Sequence, residues 1–368
     1  MFVFGLAYIF TALYLLSHSP PKKVLPRHLP EIAVLIAMRN EEEYIEGCLA
    51  SLKSQDYPKE KYNVYILNDR STDKSPQTAE RFLEYNENFH LINITEDRHG
   101  LKGKMNVLAQ ALEQIDCEWV LVTDADCILP ESWIRGYAGC FSDDTAMLGG
   151  LTMLEPLPEI RQAKEQKSLF GKIQALDWLF IQTIASASSF AGKPISILGN
   201  NLAFRLDAYK QVGGYEKIGF SVTEDFALMQ AFEKNLDKQI SYVTDPENAV
   251  FSYPNKTFKE FFQQRWRWVS GGKSASVWSY FVTGLSITAH LFMLLVFIFQ
   301  QWHLMAAAGI GLIIGIDYYI LNRQLKKLNM ERLKKYFLHF ELFHLIYLLV
   351  FAVFYFIPKK VSWKGREF

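Results

Sequence analysis

Trp119-Val-Leu-Val-Thr-Asp-Ala-Asp126 is a short apolar run that ends in two carboxylates separated by one small residue. Runs of this length and composition predict a buried strand. In open α/β sheets ligands bind beyond the carboxyl ends of the strands, so Asp124 and Asp126 lie where a site is expected. Alternation points both side chains one way and Thr123 and Ala125 the other. Two carboxylates on one edge suit Mg²⁺ or Mn²⁺, although an isolated Asp-x-Asp is more often a turn or a cap.

Length, charge and cysteine usage limit the classes of protein. The chain has 368 residues, 50% of them hydrophobic, with 39 basic and 39 acidic side chains. This length allows one large α/β domain with additional elements. The balanced charge argues against a basic face for nucleic acid, so no nucleic-acid partner is expected. No paired spacing that would indicate a zinc site or a disulfide framework occurs among Cys48, Cys117, Cys127 and Cys140.

An uncharged apolar segment, residues 2–16, begins the chain. Basic residues follow it at positions 22, 23 and 27, and none precedes it. By the positive-inside bias this pattern predicts a transmembrane signal anchor over residues 1–20 that leaves the following chain in the cytoplasm. We therefore expect an integral protein of the cell's inner membrane with a cytoplasmic catalytic domain.

Three further apolar segments, residues 277–299, 303–321 and 338–357, predict a C-terminal transmembrane region over 277–357. The connector 322–337 is rich in Lys and Arg, which marks it as cytoplasmic. Counting spans places the basic tail, residues 358–368, on the outside, whereas its own charge favours the inside. Whether the last segment crosses the membrane or is re-entrant stays open at this stage.

Residues 30–256 alternate strand-like and helix-like runs, which predicts a mostly parallel α/β domain. The expected strands cover residues 32–38, 63–67, 89–94 and 146–151 in addition to the run before Asp124. The expected helices cover 42–55, 131–141, 160–190 and 224–235, with one more that follows the loop at 99–106 and ends near 115.

Polar motifs follow the first strands. Arg39-Asn-Glu-Glu42 follows the first, and Asn68-Asp-Arg-Ser-Thr-Asp73 follows the second. Asp69, at the strand end, is placed to accept hydrogen bonds from a bound base, whereas Asp73 is better explained as a helix cap. The loop His99-Gly-Leu-Lys-Gly-Lys-Met-Asn106 brings Lys104 to a helix start, where anions bind. Taken alone, this loop is explained equally well by solvated lysines on a turn.

Two later motifs complete the set. Thr223-Glu-Asp225 precedes a helix, and a cap followed by acids in the first turn explains it on local grounds. Residues 257–276 form an amphipathic segment containing Gln264-Arg-Trp-Arg-Trp268, and such Arg/Trp mixtures are typical of an interfacial helix. Between these regions, Gly199-Asn-Asn201 predicts a tight turn.

Taken in order, these motifs resemble those of the membrane-bound family 2 glycosyltransferases, which bind nucleotide-sugars with the GT-A fold. The motifs are Arg39-Asn-Glu-Glu42, Asn68 to Asp73, Gly103-Lys104, Asp124-Ala-Asp126, and Thr223-Glu-Asp225 followed by Gln264-x-x-Arg267-Trp268. Each is weak alone, but five in order over residues 32–272 are specific. The resemblance implies a GT-A domain with a mostly parallel mixed sheet, one N-terminal transmembrane helix and two or three C-terminal ones.

The resemblance also implies roles for individual residues. Around the base and ribose it places Arg39, Glu41 and Asp69, with Lys104 toward the diphosphate. Asp124 faces the ribose or donor sugar and, with Asp126, holds Mg²⁺ or Mn²⁺. The catalytic pair is Glu224 and Asp225, with Asp225 as the base, and the residues that close over the donor are Gln264, Arg267 and Trp268. One position departs from the family pattern, because Ala109 stands where many members have Asn.

The implied reaction moves a sugar from a nucleotide-sugar, with a UDP-sugar favoured, to a lipid acceptor in the bilayer, as ceramide glucosyltransferase-like members do. One displacement by one base inverts the anomeric carbon, so an α-linked donor gives a β-linked product. The close alternative is a processive synthase of the cellulose, hyaluronan or chitin-oligosaccharide type, whose acceptor is a growing glycan. A remote alternative is a non-enzymatic scaffold or transporter, since Asp317 lies in an apolar segment and intramembrane acids are usually functional. The alternative explanation of Asp317 is that it lies near the cytoplasmic end of its segment and simply reaches water.

Overall fold

The computed structural model describes residues 2–20, 28–155, 167–299, 304–355, 362–363 and 366–367. The chain forms two compact units, each built from separate parts of the sequence. The helical unit comprises Met1–Ser19, Gln166–Ile195 and Pro254–Val361. The sheet unit comprises Pro20–Glu165, Ser196–Tyr253 and Ser362–Phe368.

The strands belong to the sheet unit. They are β1 (Ile32–Met38), β2 (Tyr62–Asp69), β3 (Phe89–Ile94), β4 (Trp119–Asp124), β5 (Thr145–Gly150), β6 (Thr152–Met153), β7 (Asn201–Arg205), β8 (Gln239–Val243), β9 (Val250–Phe251), β10 (Ser362–Trp363) and β11 (Arg366–Glu367). The helices of both units are α1 (Phe2–Leu16), α2 (Ile45–Lys53), α3 (Ser75–Leu83), α4 (Gly103–Leu112), α5 (Trp133–Ala138), α6 (Leu169–Phe190), α7 (Leu206–Gln211), α8 (Gly214–Ile218), α9 (Glu224–Asn235), α10 (Phe258–Gly271), α11 (Val277–Ile298), α12 (Leu304–Lys327) and α13 (Phe337–Phe354).

The main sheet has the strand order β3-β2-β1-β4-β7-β5-β8 within the described residues. Strands β3, β2, β1 and β4 are parallel neighbours, whereas β7 runs antiparallel to both β4 and β5. Nearly every residue of β1 and β4 is buried, which explains their continuous apolar runs. This sheet confirms the predicted α/β class with mostly parallel strands.

The predicted elements are largely present, with different ends. Strands β1 and β3 have the expected bounds, whereas β2 continues to Asp69, so that this residue is the last of its strand. Helix α6 begins at Leu169, and the first part of the expected helix, up to residue 166, lies outside the described residues. Strand β8, Gln239–Val243, was not predicted from the sequence.

Three helices within the described residues are long and apolar enough to cross a membrane: Val277–Val296, Leu304–Lys327 and Glu331–Val353. The shorter α1, of 15 residues, packs against α11 and α12. The basic residues used above for orientation at 22–27, and those at 359, 360 and 364, lie outside the described residues. Helix α12 extends to Lys327, so the predicted basic connector is shorter than expected. The expectation that Asp317 reaches water is wrong, because this residue is fully buried.

Candidate active site

Lys104 joins two carboxylates that are far apart in sequence. It is the second residue of α4, and its Nζ donates to Asp124 Oδ1 at 2.7 Å and to the Gly199 carbonyl at 2.9 Å. The same Nζ lies 3.1 Å from Glu224 Oε1. Three acceptors match the three N–H groups of an ammonium. The end of β4 and the start of α9 are therefore held together by one positive charge that is about nine-tenths buried.

The charge on Lys104 is stable in this environment. Burial disfavours the ammonium, but Asp124 and then Glu224 outweigh that effect, and together they raise the pKa of Lys104 above its ordinary value. The lysine therefore stays protonated whenever the carboxylates are ionised. Lys104 was predicted to lie toward the diphosphate, and its ammonium bonds protein acceptors in the structure.

Gly199 connects the Lys104 cluster to Asp225. The Gly199 N–H donates to Asp225 Oδ2, and the Phe226 N–H donates to Asp225 Oδ1 at 2.8 Å. A Cβ at position 199 would lie 2.9 Å from Asp225 Oδ2 and 3.0 Å from Glu224 Oε1, so only glycine fits there without displacing both carboxylates. The sequence predicted only a turn here, and the contact between Gly199 and Asp225 was not predicted. The glycine itself is the one local feature that could have indicated a close approach of this kind.

The turn that carries Gly199 is anchored by its neighbours. Thr123 Oγ1 donates to the Asn200 carbonyl at 3.1 Å, directly before the Asp pair. The fully buried Asn201 accepts bonds from Trp133 Nε1 and Tyr137 Oη at 2.8 Å each, and donates to the Leu151 carbonyl at 2.8 Å. The position of the turn is therefore fixed against β4 by polar groups that have no competing water.

The local explanation of Thr223-Glu-Asp225 as a helix cap is incomplete. Thr223 is the residue before α9, but its side chain bonds no N–H of that helix and lies 3.3 Å from Ser221 Oγ. Asp225 instead reaches across to Gly199. The acids at this helix start are thus oriented by tertiary contacts in addition to the helix itself.

Asp126 has the environment expected of a cation ligand. Burial, and after it the neighbouring Asp124 carboxylate, raise the pKa of Asp126 to about 7. Its hydrogen-bond donors are weak, with Ser252 Oγ at 3.4 Å from Oδ2 and Cys127 Sγ at 3.7 Å from Oδ1. Two oxygen donors that repel each other fit a hard divalent ion such as Mg²⁺ or Mn²⁺. The residues present are therefore compatible with the metal predicted at this edge.

The ends of β1 and β2 form a second polar cluster. Arg39 Nη1 donates to the Asp69 carbonyl at 2.7 Å, and Arg70 holds Asp69 Oδ1 with Nε at 3.0 Å and Nη2 at 2.8 Å. Glu41 donates its backbone N–H to Ser75 Oγ at 2.7 Å. The structure thus gathers the predicted base and ribose residues, and it adds Arg70, which sequence analysis did not select. Asp73 accepts from the N–H of Ser75, the first residue of α3, at 3.0 Å, although the N-cap residue of that helix is Lys74.

The residues of the Gln-x-x-Arg-Trp motif belong to the helical unit, on α10. Gln264 Oε1 accepts from Asn255 Nδ2 at 3.1 Å, and the ring centres of Trp268 and Trp178 are 5.2 Å apart. Arg267 is half-buried on the same helix. The other predicted site residues belong to the sheet unit.

Arg265, within that motif, was missed by sequence analysis. It is buried, pairs with Asp177, and lies 4.1 Å from the centre of the Trp268 ring. Asp177 also accepts from Tyr347 Oη at 2.8 Å. The expectation that the whole Arg/Trp segment faces a membrane surface is wrong for Arg265 and Trp266, because both side chains are buried. Arg265 is held inside because the buried Asp177 carboxylate requires a counter-charge.

Comparisons with known proteins find family models that match most of the chain. The family model described as "Glycosyl transferase family 2" matches residues 33–192, and that described as "Glycosyl transferase family group 2" matches residues 119–357. A poly-beta-1,6-N-acetyl-D-glucosamine synthase of Staphylococcus epidermidis is 30% identical over 244 residues, which is 66% of this chain and 54% of that protein. Its counterpart from Staphylococcus aureus is 28% identical over 289 residues, 78% of this chain and 64% of that protein. The chain thus spans between half and two thirds of the length of these curated relatives.

A solved structure shares the fold. The mannosyltransferase PcManGT from Pyrobaculum calidifontis, solved in complex with GDP-Man and Mn²⁺, superposes with a TM-score of 0.59 at 18% identity. The match covers 93% of this chain and 96% of that one. The predicted GT-A fold is confirmed by this similarity.

Proposed function

Since the chain belongs to the family 2 glycosyltransferases, we propose that it is an inverting, metal-dependent enzyme that transfers a hexosyl group from a nucleotide-sugar to an acceptor hydroxyl. The observation that carries this proposal is the cluster in which Lys104 and Gly199 connect Asp124, Glu224 and Asp225. Asp124 and Asp225 are about a hundred positions apart in sequence, yet both belong to this cluster. A transferase needs such a cluster, because the groups that stabilise the leaving group and the base that activates the nucleophile must act on the same substrate.

Departure of a nucleoside diphosphate builds negative charge on its phosphate oxygens. A divalent ion held by Asp124 and Asp126 would supply Lewis-acid stabilisation of that charge. Lys104 fixes the Asp124 carboxylate by a 2.7 Å bond, so the orientation of this ligand is set before the donor binds. In this proposal Lys104 is a positioning residue, and Arg267 offsets charge on the diphosphate.

The acceptor hydroxyl must lose its proton as it attacks, and we assign the role of base to Asp225. The bonds from the Gly199 and Phe226 N–H groups fix the orientation of this carboxylate. Attack with a single base inverts the anomeric carbon, so an α-linked donor yields a β-linked product.

The donor pocket is proposed at the ends of β1 and β2. There Arg39 and Arg70 hold Asp69, which faces the base, while Glu41 faces the ribose. The curated relatives are named for a polymer of N-acetylglucosamine. The first donor to test is therefore UDP-N-acetylglucosamine, and GDP-mannose, which the solved relative binds, is the second.

Two acceptors are consistent with this chemistry. Sequence analysis favoured a single addition to a membrane lipid, whereas the names of the curated relatives favour a growing β-linked glycan. In both cases we propose that the chain works at the inner membrane with its sheet unit in the cytoplasm, because three described helices are long and apolar enough to cross a membrane.

The proposal is tested with radiolabelled donors added to membranes that contain the chain. Transfer that yields one labelled lipid supports the lipid acceptor, a ladder of products supports the polymer, and no transfer from any donor supports a scaffold. Asp225→Asn should abolish transfer and leave donor binding unchanged. The matched control is Asp237→Asn, an exposed acid just beyond the same helix, which should keep full activity. Full activity of Asp225→Asn would show that Asp225 is not the base and only places a negative charge at the start of α9.

A further inference from the structure

Three ionisable side chains meet inside the helical unit, one from each of the helices that are long enough to cross a membrane. They are His290 on α11, Asp317 on α12 and Glu341 on α13. One ligand atom from each lies within 4.8 Å of the other two. His290 Nε2 is 3.3 Å from Asp317 Oδ2 and 3.7 Å from Glu341 Oε1. All three side chains are at least nine-tenths buried.

His290 is oriented as a metal-binding imidazole. Its Nδ1 lies 2.8 Å from the Ser286 carbonyl, which can only accept, so Nδ1 carries the proton and donates it. The lone pair of a neutral ring is then on Nε2, the atom that faces the two carboxylates. Nε2 makes no hydrogen bond to any described residue, although Asp317 Oδ2 is near. In metal-binding histidines the ring nitrogen that does not bind the metal commonly donates its N–H to a backbone carbonyl or a carboxylate, which fixes the tautomer and the ring orientation.

The carboxylates also present unpartnered atoms. Tyr8 on α1 donates its hydroxyl to Asp317 Oδ1, which leaves Oδ2 without a hydrogen bond from the described residues. Both oxygens of Glu341 are buried and likewise lack one. Within the described part of the chain, the ion pairs of Asp317 and Glu341 involve only His290. Two carboxylates in an apolar helix bundle are costly unless a positive charge compensates them.

We propose that His290, Asp317 and Glu341 bind a divalent cation of the zinc or manganese class, which cross-links the three apolar helices. Such an ion neutralises the two carboxylates and uses the free Nε2 lone pair at once. One imidazole with two carboxylates suits Zn²⁺ or Mn²⁺ better than Mg²⁺, which prefers oxygen donors and keeps its waters. This site belongs to the helical unit, and its residues take no part in the proposed sugar transfer.

The polar surroundings of the cluster give the rival explanation. The His344 ring lies 5.2 Å from the His290 ring, and its Nδ1 lies 3.2 Å from Asp177 Oδ1. A proton shared between Glu341 and His290, without any metal, would also reduce the charge. The two explanations differ in one measurable property, because only the cation site predicts that the protein retains metal when metal is supplied.

The test uses the full chain in detergent, with Asp126→Asn as a background that removes a ligand of the other proposed metal site. The protein is loaded with Zn²⁺ or Mn²⁺ alone, freed of excess ion by gel filtration, and its metal content is measured by mass spectrometry. We expect about one ion per chain, since three buried ligand atoms already lie within 4.8 Å of one another. Glu341→Gln in the same background should retain less than about a tenth of that amount, because a ligand is lost.

Two further variants make the test decisive. Tyr8→Phe removes only the donor behind Asp317 and should weaken metal affinity by about 10–100-fold while the bundle stays folded. His339→Asn, an exposed histidine on the same helix as Glu341, should retain the ion at the background level. Absence of bound metal in the Asp126→Asn chain, or equal retention in Glu341→Gln, would overturn the proposal. Should Glu341→Gln aggregate, unchanged affinity in Tyr8→Phe would overturn it in the same way.

Discussion

Replacing Gly199 by alanine tests whether the positions of Glu224 and Asp225 control the reaction. An added Cβ would lie 2.9 Å from Asp225 Oδ2 and 3.0 Å from Glu224 Oε1, whereas ordinary contacts begin at 3.4 Å. The carboxylates must therefore move by about half an ångström. The Gly199 N–H that bonds Asp225 and the Gly199 carbonyl that accepts from Lys104 are both retained in the alanine variant. The substitution therefore moves the two carboxylates without removing a hydrogen-bonding group.

The expected loss follows from that displacement. A misplacement of ~1 Å in an active site costs on the order of a hundredfold in rate. Half that displacement should cost about tenfold in kcat, which corresponds to about 1.4 kcal/mol in the barrier. The affinity for the nucleotide-sugar should stay within about twofold, because the proposed base and ribose contacts at β1 and β2 are untouched.

The assay compares initial transfer rates at saturating donor with donor binding measured by calorimetry. Gly47→Ala is the matched control, since nothing lies within 4 Å of a Cβ there and the residue is inside helix α2. It should keep full activity and gain about 0.5–1 kcal/mol of stability. A Gly199→Ala enzyme that is folded and fully active would refute the assignment of Glu224 and Asp225 to the reaction.

Three further perturbations probe the charged clusters. Lys104→Met leaves Asp124 and the largely buried Glu224 without their shared cation. Because both carboxylates keep some contact with water, we expect a loss of about 1–3 kcal/mol in the free energy of unfolding, measured against Lys102→Met, an exposed lysine two residues earlier. Burial opposes the ionisation of Asp177, but Arg265 and then the His344 hydrogen bond outweigh it and lower the pKa of this carboxyl below the ordinary 3.8. The ionised group therefore stabilises the helical unit above that pH, and the stabilisation is lost as pH falls through the lowered pKa. Thermal unfolding of the wild type and of Asp177→Asn between about pH 5 and 2 should show a difference in stability that shrinks toward acid. Removal of divalent ions with a chelator should abolish transfer and added Mn²⁺ or Mg²⁺ should restore it, whereas activity that persists at full rate in chelator would contradict a role for Asp124 and Asp126 as metal ligands.

Local patterns were sufficient for the sheet's first half. The β-branched runs at β1, β3 and β4 determine strands by their own composition, and the polar residues that follow them must lie at one edge because the strands are parallel. Asp69, Asp124 and Asp126 were therefore predicted from the sequence to lie at that edge, and their roles stay predictions. The family resemblance added Asp225, whose local context indicated only a helix start.

The partners of these residues were not predictable in the same way. Strand β7 inserts antiparallel between β4 and β5, and this order carries Gly199 to the end of β4. Hydrogen bonds between strands join residues about eighty positions apart, and no local propensity records which of them pair. Arg265 was hidden for the same reason, since its partner Asp177 lies on another helix.

The sequence by itself determined the α/β class, the apolar helices and the carboxylates at the strand ends, because period and composition act over a few residues. Only the tertiary structure decided that Lys104 is shared between Asp124 and Glu224, that Gly199 leaves no room for a side chain, and that Asp317 is buried beside His290 and Glu341. These arrangements depend on burial and on pairing between distant segments. A charge becomes costly, and so needs a specific partner, only once the chain has packed around it.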